Sequence, residues 1–150
     1  MQTLCTIGYE RGGLSDVIAA LRDAGVEIVI DVRDIPNSRR AGFSKKMLSS
    51  SLEAAGISYR HLKPLGTPKA GREAAKRGDY AAFEEILNAS LDRPEAQLAL
   101  LEAAEIAAAQ RACLLCLEHD WRRCHRGEIA RRLKAQGFRA EHLEPCVPSA

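Results

Sequence analysis

Glu27-Ile-Val-Ile-Asp-Val-Arg33 is an apolar run capped by charges. Runs of this kind are typical of strands buried on both faces, as in parallel sheets. Just upstream, Leu14, Val17, Ile18 and Leu21 fall at helical spacing, and Gly25 closes that helix. Before it, Thr3 to Gly8 is a short β-type run. Downstream, Pro36 ends regular structure, and Phe43 to Ala55 reads as a second helix closed by Gly56. Ile57 to Leu62 predicts a third strand with Ile57, Tyr59 and His61 on one face. Residues 63–78, punctuated by Pro64, Gly66, Pro68 and Gly71, read as a loop with one helical turn. Asp79 to Ala89 and Pro94 to Ala109 predict helices, and Ala112 to Glu118 a fourth strand. Arg123 to Gln136 predicts the last long helix, Arg139 to Leu143 a final strand, and residues 144–150 a loose tail. Alternating strands and helices predict an α/β fold. The expectation is a single compact domain over residues 1–150, with a mainly parallel sheet between two helix layers, Rossmann-like.

Composition fits that reading. The chain has 150 residues, 46% of them apolar and 28% charged, the balance of a globular domain. No apolar stretch reaches the roughly 20 residues that span a bilayer. The N-terminus lacks the basic and apolar regions of a secretion signal, and the five cysteines are odd in number. A cytoplasmic protein with reduced thiols and no membrane partner is expected. Net charge is only +2 but uneven: residues 122–139 hold seven Arg/Lys against Glu128, and residues 33–46 hold five against Asp34. Solvated helix faces account for most such runs. Here basic residues also flank the candidate site, which favours a positive cleft for an anionic ligand.

In parallel sheets, ligands sit outside the carboxyl ends of the strands. Those ends carry Gly8-Tyr9-Glu10, Asp31-Val32-Arg33, residues 61–65, and Cys116-Leu117-Glu118. Just beyond the last of these come Cys124, His125 and Arg126, at the start of a helical pattern. A thiol at a helix N-terminus beside His and Arg is where a thiolate is most easily stabilised.

The motifs come in order: Thr-Ile-Gly-Tyr-Glu at 6–10, Asp-Val-Arg at 31–33, Pro36 and Ser38, and Gly-Phe-Ser at 42–44. Gly-Ile-Ser-Tyr at 56–59, Leu-Gly at 65–66, Leu-Leu-Cys-Leu-Glu at 114–118 and Cys-His-Arg at 124–126 follow. Over nearly its whole length the chain resembles the DUF488 family, bacterial and archaeal proteins of unknown function. Tyr-Glu after Gly8 is one of two common forms there, the other having His-Ser. The resemblance implies a compact α/β fold and supplies no reaction, so the chemistry rests on the residues.

Asp31, Glu118, Cys116 and Cys124 are the candidate catalytic groups. Tyr9, Arg33, Ser38, His125 and Arg126 are the candidate substrate- or anion-binding groups. Arg33 and Arg126 are expected to form a fork for a phosphate or carboxylate. Cys113-x2-Cys116 has zinc-ligand residue types, but residues three apart on a strand point to opposite faces. Cys116, Cys124 and His119 or His125 remain as a possible set, yet the reading assigns no metal and no cofactor. The spacing also lacks the Gly-rich Cys-x5-Arg loop of a phosphatase. Two functional classes remain. One is an enzyme acting on an anionic small molecule or polymer. The other is a non-catalytic nucleotide- or nucleic-acid-binding module, disfavoured by an aromatic content of only 5%. The sequence does not decide whether the chain is an enzyme or what its oligomeric state is.

Overall fold

The structure is a computed structural model that describes residues 1–146. One five-stranded, all-parallel sheet has the strand order β3-β2-β4-β1-β5. The strands are β1 (Gln2–Gly8), β2 (Ile28–Asp31), β3 (Ser58–His61), β4 (Ala112–Cys116) and β5 (Phe138–Leu143). The two apolar runs, β2 and β4, are buried at every position, whereas the edge strands β3 and β5 alternate with exposed residues.

Side chains alternate across the sheet with the period of two that a strand imposes. Leu4, Ile28, Ile30, Ala112, Leu114 and Cys116 point into one core; Cys5, Ile7, Val29, Cys113 and Leu115 point into the other. Helices α1 (Leu14–Asp23) and α2 (Lys45–Ala54) cover the second core through Val17, Leu21, Leu48 and Leu52. Helices α3 (Lys69–Lys76), α4 (Tyr80–Leu91), α5 (Pro94–Ala109) and α6 (His125–Lys134) cover the first. The result is the expected α/β fold with three layers. No helix of the described residues is long and apolar enough to cross a membrane.

This wiring positions the site. After β1 and β2 the chain crosses to the face of α1 and α2, and after β4 it crosses to the face of α6. Because β4 lies between β1 and β2, the chain leaves it on the side opposite to both neighbours. Such a reversal opens a crevice at the carboxyl ends of the strands.

Three local expectations are corrected. Residues 63–78 hold a 3-10 turn at Lys63–Leu65 and then the two turns of α3, not a loop with one turn. Pro68 sits at the N-cap, where its missing N–H costs no helical hydrogen bond, so it starts the helix instead of breaking it. Strand β4 ends at Cys116, so Glu118 reaches the site through the following loop and not by strand alternation. Helix α6 begins at His125 with Cys124 as its N-cap, after a separate 3-10 turn at Trp121–Arg123. Of the expected tail, the Cys146 N–H donates to the Asp16 carbonyl (2.9 Å) beside the start of α1, and residues 147–150 lie outside the described residues.

Candidate functional site

The site consists of two polar groups bridged by one histidine. The first is built on the end of β2. Asp31, fully buried, accepts from Arg33 Nε (2.9 Å) and Nη2 (2.7 Å), from the Arg33 backbone N–H (3.1 Å) and from the Tyr59 hydroxyl (2.5 Å). Arg33 Nη1 donates to the Tyr9 hydroxyl (3.1 Å) and the Phe43 carbonyl (2.6 Å), and Tyr9 stacks on Phe43 with ring centroids 4.1 Å apart. Burial works against the Arg33 charge, but Asp31 outweighs it and the guanidinium is held more firmly protonated than usual. The pair is a closed bidentate ion pair.

The second group lies between the ends of β4 and β1 and the start of α6. The sulfurs of Cys116 and Cys124 stand 2.8 Å apart. Cys124 Sγ is 3.4 Å from Glu118 Oε2 and 3.5 Å from His125 Nδ1, and it caps α6 by accepting the Arg126 backbone N–H (3.4 Å). Burial first, and then the neighbouring Cys116 sulfur, push the Cys124 thiol well above its ordinary range. His125 is buried, and its Nε2 stands 2.6 Å from the Val32 carbonyl. A carbonyl only accepts, so Nε2 carries the hydrogen and Nδ1 turns a lone pair toward the sulfurs. Burial lowers the pKa of this imidazole and keeps it neutral. The same bond ties the second group to β2, one residue before Arg33.

Arg126 is the largest fully buried side chain, at 1% exposure. Its guanidinium donates to Thr6 Oγ1 (3.2 Å), Cys116 Sγ (3.0 Å), the His119 carbonyl (3.0 Å) and the Glu118 carbonyl. No carboxylate of the described residues forms an ion pair with it. These four acceptors satisfy a buried cation that would otherwise be costly. Gly8 allows this arrangement: a Cβ on it would stand 1.8 Å from the Glu118 carbonyl oxygen and 2.6 Å from Arg126 Nη1.

The structure therefore brings Cys116, Glu118, Cys124, His125 and Arg126 together, and gathers Tyr9, Asp31 and Arg33 beside them. Each arginine of the expected fork is committed to acceptors of its own group. Asp31 is saturated by Arg33 and Tyr59. Ser38 stands on the cleft wall, where its hydroxyl accepts the Arg40 backbone N–H (3.1 Å).

Above both groups lies a cleft with two adjoining lobes of about 490 and 470 Å³, which share Thr67, Arg72, Lys76, Leu117, Glu118 and His125. Arg33, Arg39 and Arg40 line the first lobe, and Cys124 and Arg123 the second. Arg72 pairs with Asp34 (2.8 Å); Arg39 and Lys76 have no ion-pair partner among the described residues. Arg39, Arg72 and Lys76 were not singled out from sequence: Arg39 belongs to the basic segment 33–46, and Arg72 and Lys76 to the stretch read as a loop. Thr6, Val32 and Tyr59 stand in the 6–10, 31–33 and 56–59 motifs, but their contacts were not readable there because they depend on packing across the sheet. Of the remaining histidines, His61 Nε2 bonds the Arg33 carbonyl (2.6 Å), and His142 stacks under Trp121.

The chain is an α/β domain with an all-parallel sheet and a sulfur, imidazole and carboxylate cluster at its topological reversal. It belongs to the family described as "Domain of unknown function DUF488", whose profile matches residues 13–133. That span includes 31–33, 42–44, 114–118 and 124–126 and begins after the 6–10 motif. No curated protein and no solved structure matches the chain.

Proposed function

We propose that this protein is an enzyme acting on a phosphate- or carboxylate-bearing substrate at the carboxyl edge of the sheet. The observation that carries the reading is the convergence of Cys116, Glu118, Cys124 and His125, of which Glu118, Cys124 and His125 line a cleft walled by Arg39, Arg72 and Lys76. In this reading the basic wall holds the anionic part of the substrate and sets its orientation. Glu118 faces both lobes of the cleft and moves a proton to or from the reacting group. Cys124 and His125 form the reactive floor, with Cys116 behind Cys124 and His125 supplying an unprotonated Nδ1. Asp31, Arg33 and Tyr9 position the β2 end of the cleft, and Arg126 positions Cys116. Five unpaired cysteines suit a reducing, cytoplasmic setting.

The test is a turnover screen over phosphomonoesters, phosphodiesters and carboxylate esters. Glu118→Gln, which keeps the side-chain shape, is expected to lower kcat about a hundredfold or more on any substrate found, the usual weight of a positioned acid or base. Oligonucleotide binding that collapses with added salt, together with no turnover on any class, would instead support a non-catalytic nucleic-acid module.

A further inference from the structure

We infer that Cys116, Glu118, Cys124 and His125 form a binding site for one zinc ion. The inference goes beyond the reading above: a bound ion takes the Glu118 carboxylate and His125 Nδ1 as ligands in place of the roles given there, and its argument comes from donor geometry and charge and not from any reaction.

One donor atom from each of these residues lies within 4.8 Å of every other. A tetrahedral zinc with bonds of about 2.3 Å to sulfur and about 2.0 Å to nitrogen or oxygen sets the donors about 3.5 Å apart across an S–N or S–O edge. Cys124 Sγ stands 3.5 Å from His125 Nδ1 and 3.4 Å from Glu118 Oε2, so two edges of the tetrahedron are already formed. The third, Cys116 to Cys124, is 2.8 Å, where one ion would hold two sulfurs about 3.8 Å apart. A shared ion requires that edge to open by about 1 Å.

The surroundings match what ligands of a metal need. His125 donates Nε2–H to the Val32 carbonyl, which fixes the ring and aims Nδ1 inward, the outer partner that metal-bound histidines require. Arg126 donates to Cys116 Sγ, and the first turn of α6 donates to Cys124 Sγ, so each sulfur already has an outer donor of the kind that orients a metal ligand. Charge closes as well. Two thiolates and one carboxylate are balanced by Arg126 and a divalent cation, which leaves a neutral buried cluster. Cys113, the other half of the Cys-x2-Cys pair, points into the opposite core and takes no part.

Zinc is measured by mass spectrometry of metals in protein purified without chelator under reducing conditions, and again after reconstitution with zinc alone. The expected result is about one zinc ion per chain. Cys113→Ser should retain it, and Cys124→Ser and His125→Gln should lose it. In case those variants do not fold, the wild type loaded with cobalt(II) gives an independent readout: tetrahedral visible bands with a sulfur-to-metal charge-transfer band. Glu118→Gln, at the cleft, should fold and bind zinc at least tenfold more weakly. Wild-type protein that takes up no zinc, or whose cobalt spectrum lacks the charge-transfer band, would overturn the inference. Recovery of Cys116 and Cys124 as a disulfide from the reduced, zinc-treated protein would also overturn it. Zinc bound without turnover on any substrate would instead count against the enzymatic reading alone, and turnover by zinc-free protein against the zinc site alone.

Discussion

At the scale of single residues, buried charges tie the strand ends to one another. Asp31 has no exposure, and its carboxylate is satisfied by four donors from Arg33 and Tyr59. Tyr59→Phe removes one of these and is expected to cost about 1.5–3 kcal/mol, the range for a hydrogen bond to a charged group. The same hydroxyl also predicts a pH effect. Burial, and then the bond to Asp31, raise the Tyr59 pKa. The folded protein then keeps a proton that the unfolded chain loses above pH about 10. That contribution to stability is complete below pH 10 and is lost as pH rises through the raised folded value. Urea midpoints between pH 7 and 11 should show Tyr59→Phe less stable at neutral pH and less steeply weakened on the alkaline side. Equal slopes would mean that the phenol does not carry the alkaline loss. Tyr59 also illustrates a limit of sequence reading: alternation in β3 put it on a face with His61, but only the pairing of β3 with β2 sets it against Asp31.

At the scale of elements, α6 organises the chemistry. Its N-cap supplies Cys124 and its first turn supplies His125 and Arg126, so three consecutive residues reach three strands. Arg126→Met would remove the donor to Cys116 Sγ and leave the Glu118 and His119 carbonyls without theirs. A loss of about 3–5 kcal/mol is expected, the range for breaking a buried charged network. A urea midpoint within about 0.5 kcal/mol of wild type, the usual effect of a surface change, would contradict the role given to this residue. The helices and strands were largely legible because hydrophobic periodicity survives in the sequence: Pro94–Ala109 was read to the residue. Helix α3 was not, because Pro68 and Gly71 look like loop punctuation until their positions at the cap and beneath Thr67 are known. The site was half legible. Strand-end position picked out Asp31, Arg33, Cys116 and Glu118, and the helix-start pattern picked out Cys124 to Arg126. Which acceptors each arginine meets was not, since that depends on Thr6, Tyr9 and backbone carbonyls brought in from other segments. Basic residues of α3 and of the segment after β2 gained meaning only when the fold set them across one cleft.

At the scale of the whole molecule, the account joins an uneven charge distribution to one place in the fold. Net charge is only +2, so general attraction for anions is weak, and a specific cleft has to supply any affinity. Arg39 and Lys76 come from separate segments and have no ion-pair partner among the described residues, which leaves them available to a ligand. Neither supports the core, so replacing both with alanine should leave the urea midpoint within about 0.5 kcal/mol of wild type. Calorimetric titration with inorganic pyrophosphate, comparing wild type with the Arg39→Ala, Lys76→Ala double variant, tests the central claim most directly. The account predicts saturable one-to-one binding by wild type, weakened about tenfold or more in the variant and further weakened by salt. Absence of saturable binding by wild type, or equal affinity in the two proteins, would contradict it.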